Sequence, residues 1–166
     1  MTPHAGYQPS RSPLLAAQRR IGQWSVGRKL ISRVVCHKAP YFSSIAPTFT
    51  VLEPGHVEAT IRNRRRVQNH IGSVHAIAMC NLAEFVGGTT MELSLDARLR
   101  WIPVGMQVKY QSIARSDLRA VCKLPRYDWD EPQDVVAPVV VLDDEGTEVF
   151  VADIDMRISL RKRKSA

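Results

Sequence analysis

The stretch from Ser73 to Gly87 constrains the fold most, because it predicts a helix that is apolar on nearly every side. Its apolar residues are Val74, Ala76, Ile77, Ala78, Met79, Cys80, Leu82, Ala83, Phe85 and Val86. A helix with this pattern is normally enclosed by other elements. The glycines at 87 and 88 predict its end. Glu84 lies near that end, where a buried carboxylate needs either a partner or a function.

Segments with β-type patterns lie on both sides of this helix. They are 48–52, 56–62, 106–111, 118–124 and 135–142. The turn signals Pro54-Gly55 and Asp143–Gly146 separate strands, and the second leads into a long last strand. A bulge near Ala152-Asp153 would reconcile a change of side-chain parity in that strand. One enclosed helix, about five antiparallel strands and no βαβ alternation predict an α+β fold, with a curved antiparallel sheet around one long central helix. That arrangement describes a hotdog fold.

The N-terminal region has a different composition. Residues 1–12 are rich in Pro, Ser and Gly, which predicts disorder. Residues 13–38 have apolar positions at helical spacing with basic residues mostly elsewhere, which predicts an amphipathic helix broken near Gly22 or Gly27. Docking of its apolar face on the domain is one interpretation; membrane-surface attachment and a transit peptide are the alternatives. We assign 39–161 to the hotdog domain and 162–166 to a basic tail.

The positive charge of the chain is concentrated at its start. The formal net charge is +7, yet all 16 acidic residues lie at Glu53 or later, whereas seven of the 23 Lys and Arg residues precede it. From Glu53 onward the chain therefore carries as many acidic as basic residues. A nucleic-acid binder usually concentrates positive charge on its folded face, often among aromatic residues, which make up only 7% here. We therefore predict no specific nucleic-acid partner.

Other functional classes also lack their signals. No apolar run is long enough to span a bilayer, and no secretory signal opens the sequence, so we expect a cytoplasmic protein. The three cysteines are widely spaced without a CxxC pair, which argues against a disulfide framework or a zinc cage and favours reduced thiols that pack in the core. There is no P-loop, GxGxxG or HExxH motif. The sequence predicts no cofactor and no metal.

Residues 69–84, "NHIGSVHAIAMCNLAE", resemble the N…G…HGG…LAD/E signature of the PaaI-like hotdog thioesterases. The wider stretch of about 28–160 more closely resembles the DUF4442 branch of the hotdog superfamily. This resemblance implies a thioester substrate, carried by coenzyme A or an acyl carrier protein. It implies that Asn69 holds the carbonyl or the water, that the backbone N–H of Ala76 polarises the carbonyl, and that Glu84 is the nucleophile or general base.

The chemistry suits these residue types for independent reasons. A helix N-terminus presents unpaired N–H groups and partial positive charge to an oxyanion. A carboxylate in partly apolar surroundings is more basic and can activate water. Two alternatives stay open: Glu84 as a structural charge paired with Arg98, Arg100 or another subunit, and Asn69 as a turn residue.

Further positions are candidates for binding substrate. Four lie along the helix and could line the acyl pocket: His75, Ile77, Asn81 and Thr89. For His75, a packed or hydrogen-bonded side chain is a better interpretation than a metal ligand, because no second ligand is near. Arg64 and Arg66 would share one face of a strand and could meet coenzyme A phosphates; a solvated strand edge is the alternative.

The resemblance also implies an assembly. Hotdog domains pair edge to edge into a homodimer, or a dimer of dimers, with the active site at the interface. Asn69 and Ala76 would then belong to one chain and Glu84 to the other. The predicted function is hydrolysis or binding of acyl thioesters. The alternatives are a non-catalytic acyl or lipid binder, and weak membrane-surface contact through the N-terminal arm.

Overall fold

The computed structural model describes residues 12–124 and 131–161. In chain order the elements are α1 (Pro13–Ile21), α2 (Ser25–Lys38), β1 (Thr48–Glu53), β2 (His56–Ile61), α3 (Ala76–Ser94), β3 (Leu99–Tyr110), β4 (Leu118–Lys123), β5 (Asp134–Leu142) and β6 (Glu148–Leu160). Short 3-10 turns lie at Pro40–Ser44 and Arg65–Val67. The expected disorder of 1–12 lies outside the described residues except at Ser12, whose hydroxyl caps α1 by accepting a hydrogen bond from the Leu15 N–H. The expected tail at 162–166 also lies outside them.

The six strands form one antiparallel sheet in the order β1-β2-β4-β5-β6-β3. The sheet curves around α3, which packs against all six strands. This confirms the α+β hotdog class. The sequence pattern located only the second half of β3, because its first half exposes apolar residues such as Ile102 and does not alternate clearly. β1 and β3 are the two edges of the sheet.

The central helix begins later and ends later than the sequence pattern predicts. It starts at Ala76 rather than Ser73 and continues through both glycines to Ser94, so the predicted stop at Gly87 is wrong. A Cβ atom at Gly87 would lie 2.8 Å from Ile154 Cδ1, and one at Gly88 would lie 2.7 Å from Trp101 Cη2. Both distances are shorter than real Cβ contacts. The glycines therefore allow the helix to approach the sheet closely.

The predicted bulge in the last strand is also misplaced. Val141 pairs with Phe150 and Leu142 pairs with Glu148, so the extra residue is Val149, near the start of β6. Val149 and Phe150 are both buried. Ala152 and Asp153 pair regularly with β5. The change in which side chains face the core occurs three residues earlier, at Val149.

The N-terminal arm folds into two helices that pack on the domain. The chain breaks between α1 and α2 at residues 22–24, next to Gly22. Leu15 of α1 and Ile31 of α2 are buried in the main core. The hydroxyl of Ser32 accepts a hydrogen bond of 2.9 Å from the backbone N–H of Phe49 in β1. The arm therefore covers the β1 side of the sheet.

All three cysteines are free thiols. Cys122 is fully buried, and this burial raises the pKa of its thiol to about 11. A hydrogen bond with Thr90 lowers the pKa by a smaller amount. Burial also raises the pKa of the Cys36 thiol. Both side chains therefore stay protonated near neutral pH, as packing atoms rather than nucleophiles.

We predict that Gly88→Ala destabilises the protein by about 1 kcal/mol. Overpacking against the Trp101 ring costs about 1–3 kcal/mol, and the higher helix propensity of Ala offsets about 1 kcal/mol. The ring cannot move aside freely, because its Nε1 donates a 3.1 Å hydrogen bond to Glu92. Urea unfolding measures the change. In a Trp101→Leu background the same Gly88→Ala substitution should become neutral or stabilising, and an unchanged penalty there would show that Trp101 is not the obstacle.

Candidate active site at the start of the central helix

A tight loop held by Asn69 leads into α3. The Asn69 Oδ1 accepts hydrogen bonds from the backbone N–H groups of Ile71 (3.0 Å) and Ser73 (3.2 Å), and its Nδ2 donates to Ser73 Oγ (2.8 Å). Gly72 has a φ of +78°, which L side chains rarely adopt. All three hydrogen bonds of the Asn69 side chain lie within the loop, which favours the interpretation of Asn69 as a turn residue. Its predicted contact with substrate or water stays a prediction.

The first turn of α3 leaves one backbone donor free. His75 is the N-cap, and its Nδ1 accepts a 3.1 Å hydrogen bond from the Ile77 N–H. The His75 carbonyl accepts from the N–H groups of Ala78 (2.9 Å) and Met79 (3.2 Å). Among the described residues, the Ala76 N–H has no acceptor. The free donor at the helix N-terminus is therefore the one that the resemblance implies.

A pocket of about 190 Å³ opens beside this turn. It lies between the start of α3 and the two 3-10 turns, and is lined by Tyr41, Ser44, Ile45, Arg66, Val67, Gln68, His75, Ile77, Ala78 and Asn81. Drug-sized ligands occupy at least about 300 Å³. The pocket therefore suits one segment of a ligand rather than a whole one.

Asn81 joins α3 to the pocket wall. Its side chain is 5% exposed. Its Nδ2 donates to Ser44 Oγ (3.2 Å) and to the Tyr41 carbonyl (3.4 Å). Because that carbonyl can only accept, the amide nitrogen must face it. The Oδ1 is buried without a hydrogen-bond partner among the described residues. Asn81 thus holds the 40–44 turn against the helix.

Glu84 lies half-buried on the side of α3 that faces β3. One turn before it, the Cys80 Sγ is 3.9 Å from the hydroxyl of Tyr110, and one turn after it Gly88 contacts Trp101. Tyr110 and Trp101 are near opposite ends of β3, so Glu84 lies beside the middle of this edge strand. Within residues 12–124 and 131–161, the Glu84 carboxylate forms no hydrogen bond or ion pair.

The arginines considered as structural partners of Glu84 are engaged elsewhere. Arg98 Nε lies 2.8 Å from Asp96 Oδ1, and Arg100 Nε donates to Ser159 Oγ at 3.1 Å. The alternative of a structural ion pair between Glu84 and either arginine is therefore wrong within the chain.

Ala76 and Glu84 are too far apart to act on one carbonyl from the same chain. Eight residues of helix separate them, a rise of about 12 Å, whereas a hydrogen bond spans about 3 Å. Glu84 also does not belong to the pocket lining that includes His75 and Ile77. A site that uses both groups needs two copies of the chain.

Two of the other sequence-based expectations fail locally: the strand that would carry Arg64 and Arg66, and the position of Thr89. Arg64 and Arg66 do not alternate on a strand, because residues 65–67 form a 3-10 turn. Arg66 still lines the pocket, where its guanidinium donates to the Ser43 carbonyl, but Arg64 does not. Thr89 does not line this pocket. It is buried about 20 Å along the axis from Ala76, and its hydroxyl donates to the Phe85 carbonyl.

The sequence did not indicate Tyr41, Ser44 and Gln68, which complete the pocket. Tyr41 and Ser44 lie about forty residues from Asn81 in the chain, and meet it only because the 40–44 turn packs on α3. No spacing rule connects such positions. Among the described residues, no three His, Cys, Asp or Glu side chains are arranged to hold a metal ion.

Residues 27–158 match the model of a family described as a domain of unknown function, DUF4442. The chain belongs to the DUF4442 family. No curated protein matches the sequence of this DUF4442 protein.

Solved structures are similar to the DUF4442 protein over most of its length. The structural-genomics protein APC5556 is 43% identical with a TM-score of 0.80, covering 90% of this chain and all of its own. PA5026 from Pseudomonas aeruginosa, called a probable thioesterase, is 22% identical with a TM-score of 0.73, covering 94% and 100%. The thioesterase HI1161 from Haemophilus influenzae is 16% identical with a TM-score of 0.65, covering 75% and 87%. At these identities the last two support the fold.

We predict that Asn69→Ala destabilises the protein by about 2–3 kcal/mol, because each of its three hydrogen bonds contributes about 1 kcal/mol. Asn69→Asp is the matched control. It keeps both acceptor bonds to backbone N–H groups, so we expect its stability within about 1 kcal/mol of wild type. Urea unfolding and hydrogen exchange at the Ile71 and Ser73 amides measure both effects. Equal losses in the two variants would contradict this role for the Asn69 carbonyl.

Proposed function

We propose that this DUF4442 protein hydrolyses acyl thioesters of coenzyme A or acyl carrier protein at a site shared by two copies of the chain. The observation that carries the proposal is the free Ala76 N–H at the start of the enclosed helix α3, beside a pocket. The thioesterase names of the similarly folded PA5026 and HI1161 support the choice of substrate class.

The Ala76 N–H is proposed to bind the carbonyl oxygen of the thioester. The helix dipole adds partial positive charge at the same point. When water attacks, negative charge develops on this oxygen, and a donor fixed beforehand stabilises it by about 3 kcal/mol. The Ile77 N–H cannot serve, because His75 already accepts it. The cap at His75 therefore selects which donor faces the substrate.

Glu84 of the partner subunit is proposed as the general base. It takes a proton from water while the water oxygen bonds to the carbonyl carbon. The tetrahedral intermediate then collapses, the C–S bond breaks, and the proton passes to the departing thiolate. Glu84 suits this role because no Lys, Arg or His among the described residues of its own chain forms an ion pair with it.

The β3 edge is the proposed dimer interface. It is a strand of 12 residues whose sole neighbour among the described strands is β6, and it exposes Ile102 (58%) and Val104 (50%). A long edge strand with exposed apolar residues is a template for pairing with another chain. Because Glu84 lies beside this strand, a twofold pairing there carries it toward the neighbouring protomer.

The pocket is proposed to receive the part of the substrate next to the thioester. Ile77, Ala78 and Asn81 would contact it along α3, and His75 and Arg66 would lie at its polar rim. The guanidinium of Arg66 is suited to phosphate groups of coenzyme A.

A second candidate is binding of acyl thioesters without hydrolysis. It is favoured by Ile77, whose side chain is 53% exposed beside the pocket, where the thioesterase signature has a glycine. Tight acyl-CoA binding with no thiol release across chain lengths would select this candidate over hydrolysis.

We predict that Glu84→Gln lowers kcat for acyl-CoA hydrolysis by about a hundredfold or more, because an amide cannot accept the proton from water. Release of free coenzyme A, followed with a thiol reagent over acyl chains of graded length, measures it. Glu92→Gln is the matched control: it removes the same charge from the same helix and can still accept the Trp101 N–H. Similar losses in both variants, or full turnover in Glu84→Gln, would remove Glu84 from the mechanism.

We predict that Ile102→Asp converts a dimer to a monomer and abolishes turnover, because it places a like charge on both sides of the twofold interface. Sedimentation equilibrium at micromolar concentration measures the mass. Val136→Asp, on β5 and 36% exposed, is the control for an added charge away from the edge. A wild-type monomer that turns over substrate would refute the shared site.

A further inference from the structure

Helix α2 carries a second apolar surface in addition to the one that docks on the domain. Its inner face, with Gly27, Ile31 and Ser32, is buried. On the outside, one stripe of side chains at helical spacing is exposed: Val26 76%, Leu30 51% and Val34 48%. A helix that only docks on a domain needs one apolar face, with polar residues opposite. We call these three residues the outer stripe.

A row of cations runs beside the outer stripe. Lys29 and Arg33 are exposed and four residues apart, so they lie one above the other, parallel to Val26, Leu30 and Val34. Other exposed basic side chains lie at the ends of the two helices: Arg19, Arg20 and Lys38. No acidic residue precedes Glu53 in the sequence. The exposed charged side chains of α1 and α2 are therefore all basic.

The outer stripe lies away from the proposed dimer interface. α2 packs against β1, where Ser32 accepts the Phe49 N–H. β1 and β3 are opposite edges of the six-stranded sheet. Pairing of two copies through β3 thus leaves the stripe uncovered.

We infer that the outer stripe and its row of cations dock the protein on an anionic lipid surface. The aliphatic side chains of the stripe enter the boundary between head groups and acyl chains, while the neighbouring Lys and Arg side chains meet acidic head groups. A nucleic acid would use the cations but would leave the aliphatic side chains in water. In the described part of the chain, no helix is long and apolar enough to cross a membrane, so α2 lies on the surface. The docking does not depend on catalysis.

Vesicle flotation with the full chain tests the inference. We expect binding to vesicles of phosphatidylcholine and phosphatidylserine in a three-to-one ratio, weaker binding as salt rises, and none to pure phosphatidylcholine. Two variants should each bind about tenfold or more weakly: Leu30→Ser with Val34→Ser, and Lys29→Gln with Arg33→Gln. The control, Arg62→Gln with Lys123→Gln, removes two exposed charges outside α2 and should bind like wild type.

The substituted side chains are all exposed, so unfolding curves should match wild type and separate loss of docking from loss of fold. Failure of the wild type to bind anionic vesicles at low salt would overturn the inference. Equal weakening by the α2 variants and the control would also overturn it, since any cation would then serve. A third outcome would also overturn the inference: a wild-type assembly larger than a dimer that dissociates when Leu30→Ser and Val34→Ser are combined. The stripe would then bind a second copy of the chain rather than lipid.

Discussion

The close contact between α3 and the concave face of the sheet is the constraint on which the rest of the structure depends. The missing side chains at Gly87 and Gly88 let the helix axis approach Ile154 and Trp101, at positions where any Cβ would collide. This approach encloses the helix and fixes its rotation. Because rotation is fixed, Cys80 meets Tyr110 and Glu84 lies beside the edge strand. A helix of apolar residues alone would be buried without a defined orientation.

The start of the helix depends on a different set of forces, hydrogen bonds within a short loop. Asn69 organises the loop, and His75 caps the Ile77 N–H and leaves that of Ala76 free. The pocket opens beside that donor. About 12 Å of helix separates the Ala76 N–H from Glu84. At that distance the two groups can act on one substrate only across an interface between two copies of the chain, such as the one proposed at the β3 edge.

Sequence patterns were most reliable where they report burial. The enclosed helix and the alternation in β4 follow from the periodicity of apolar side chains, which depends directly on which face is buried. They failed where one residue type serves two purposes. A glycine pair is typical of a helix end, and here it allows close packing; three consecutive arginines suggest a strand, and here they enter a 3-10 turn. Local statistics do not distinguish these cases.

The sequence by itself determined the fold class, the family, and the order of Asn69, Ala76 and Glu84 along the chain, because these depend on composition and spacing. Only the tertiary structure decided that the Ala76 N–H is free among the described residues. It also decided that Arg66 lines the pocket whereas Thr89 does not, and that Tyr41 and Ser44 form part of the pocket wall. The physical reason is that hydrogen-bond partners and pocket walls come from residues distant in the chain, whose meeting depends on how closely the arm and the sheet pack around α3.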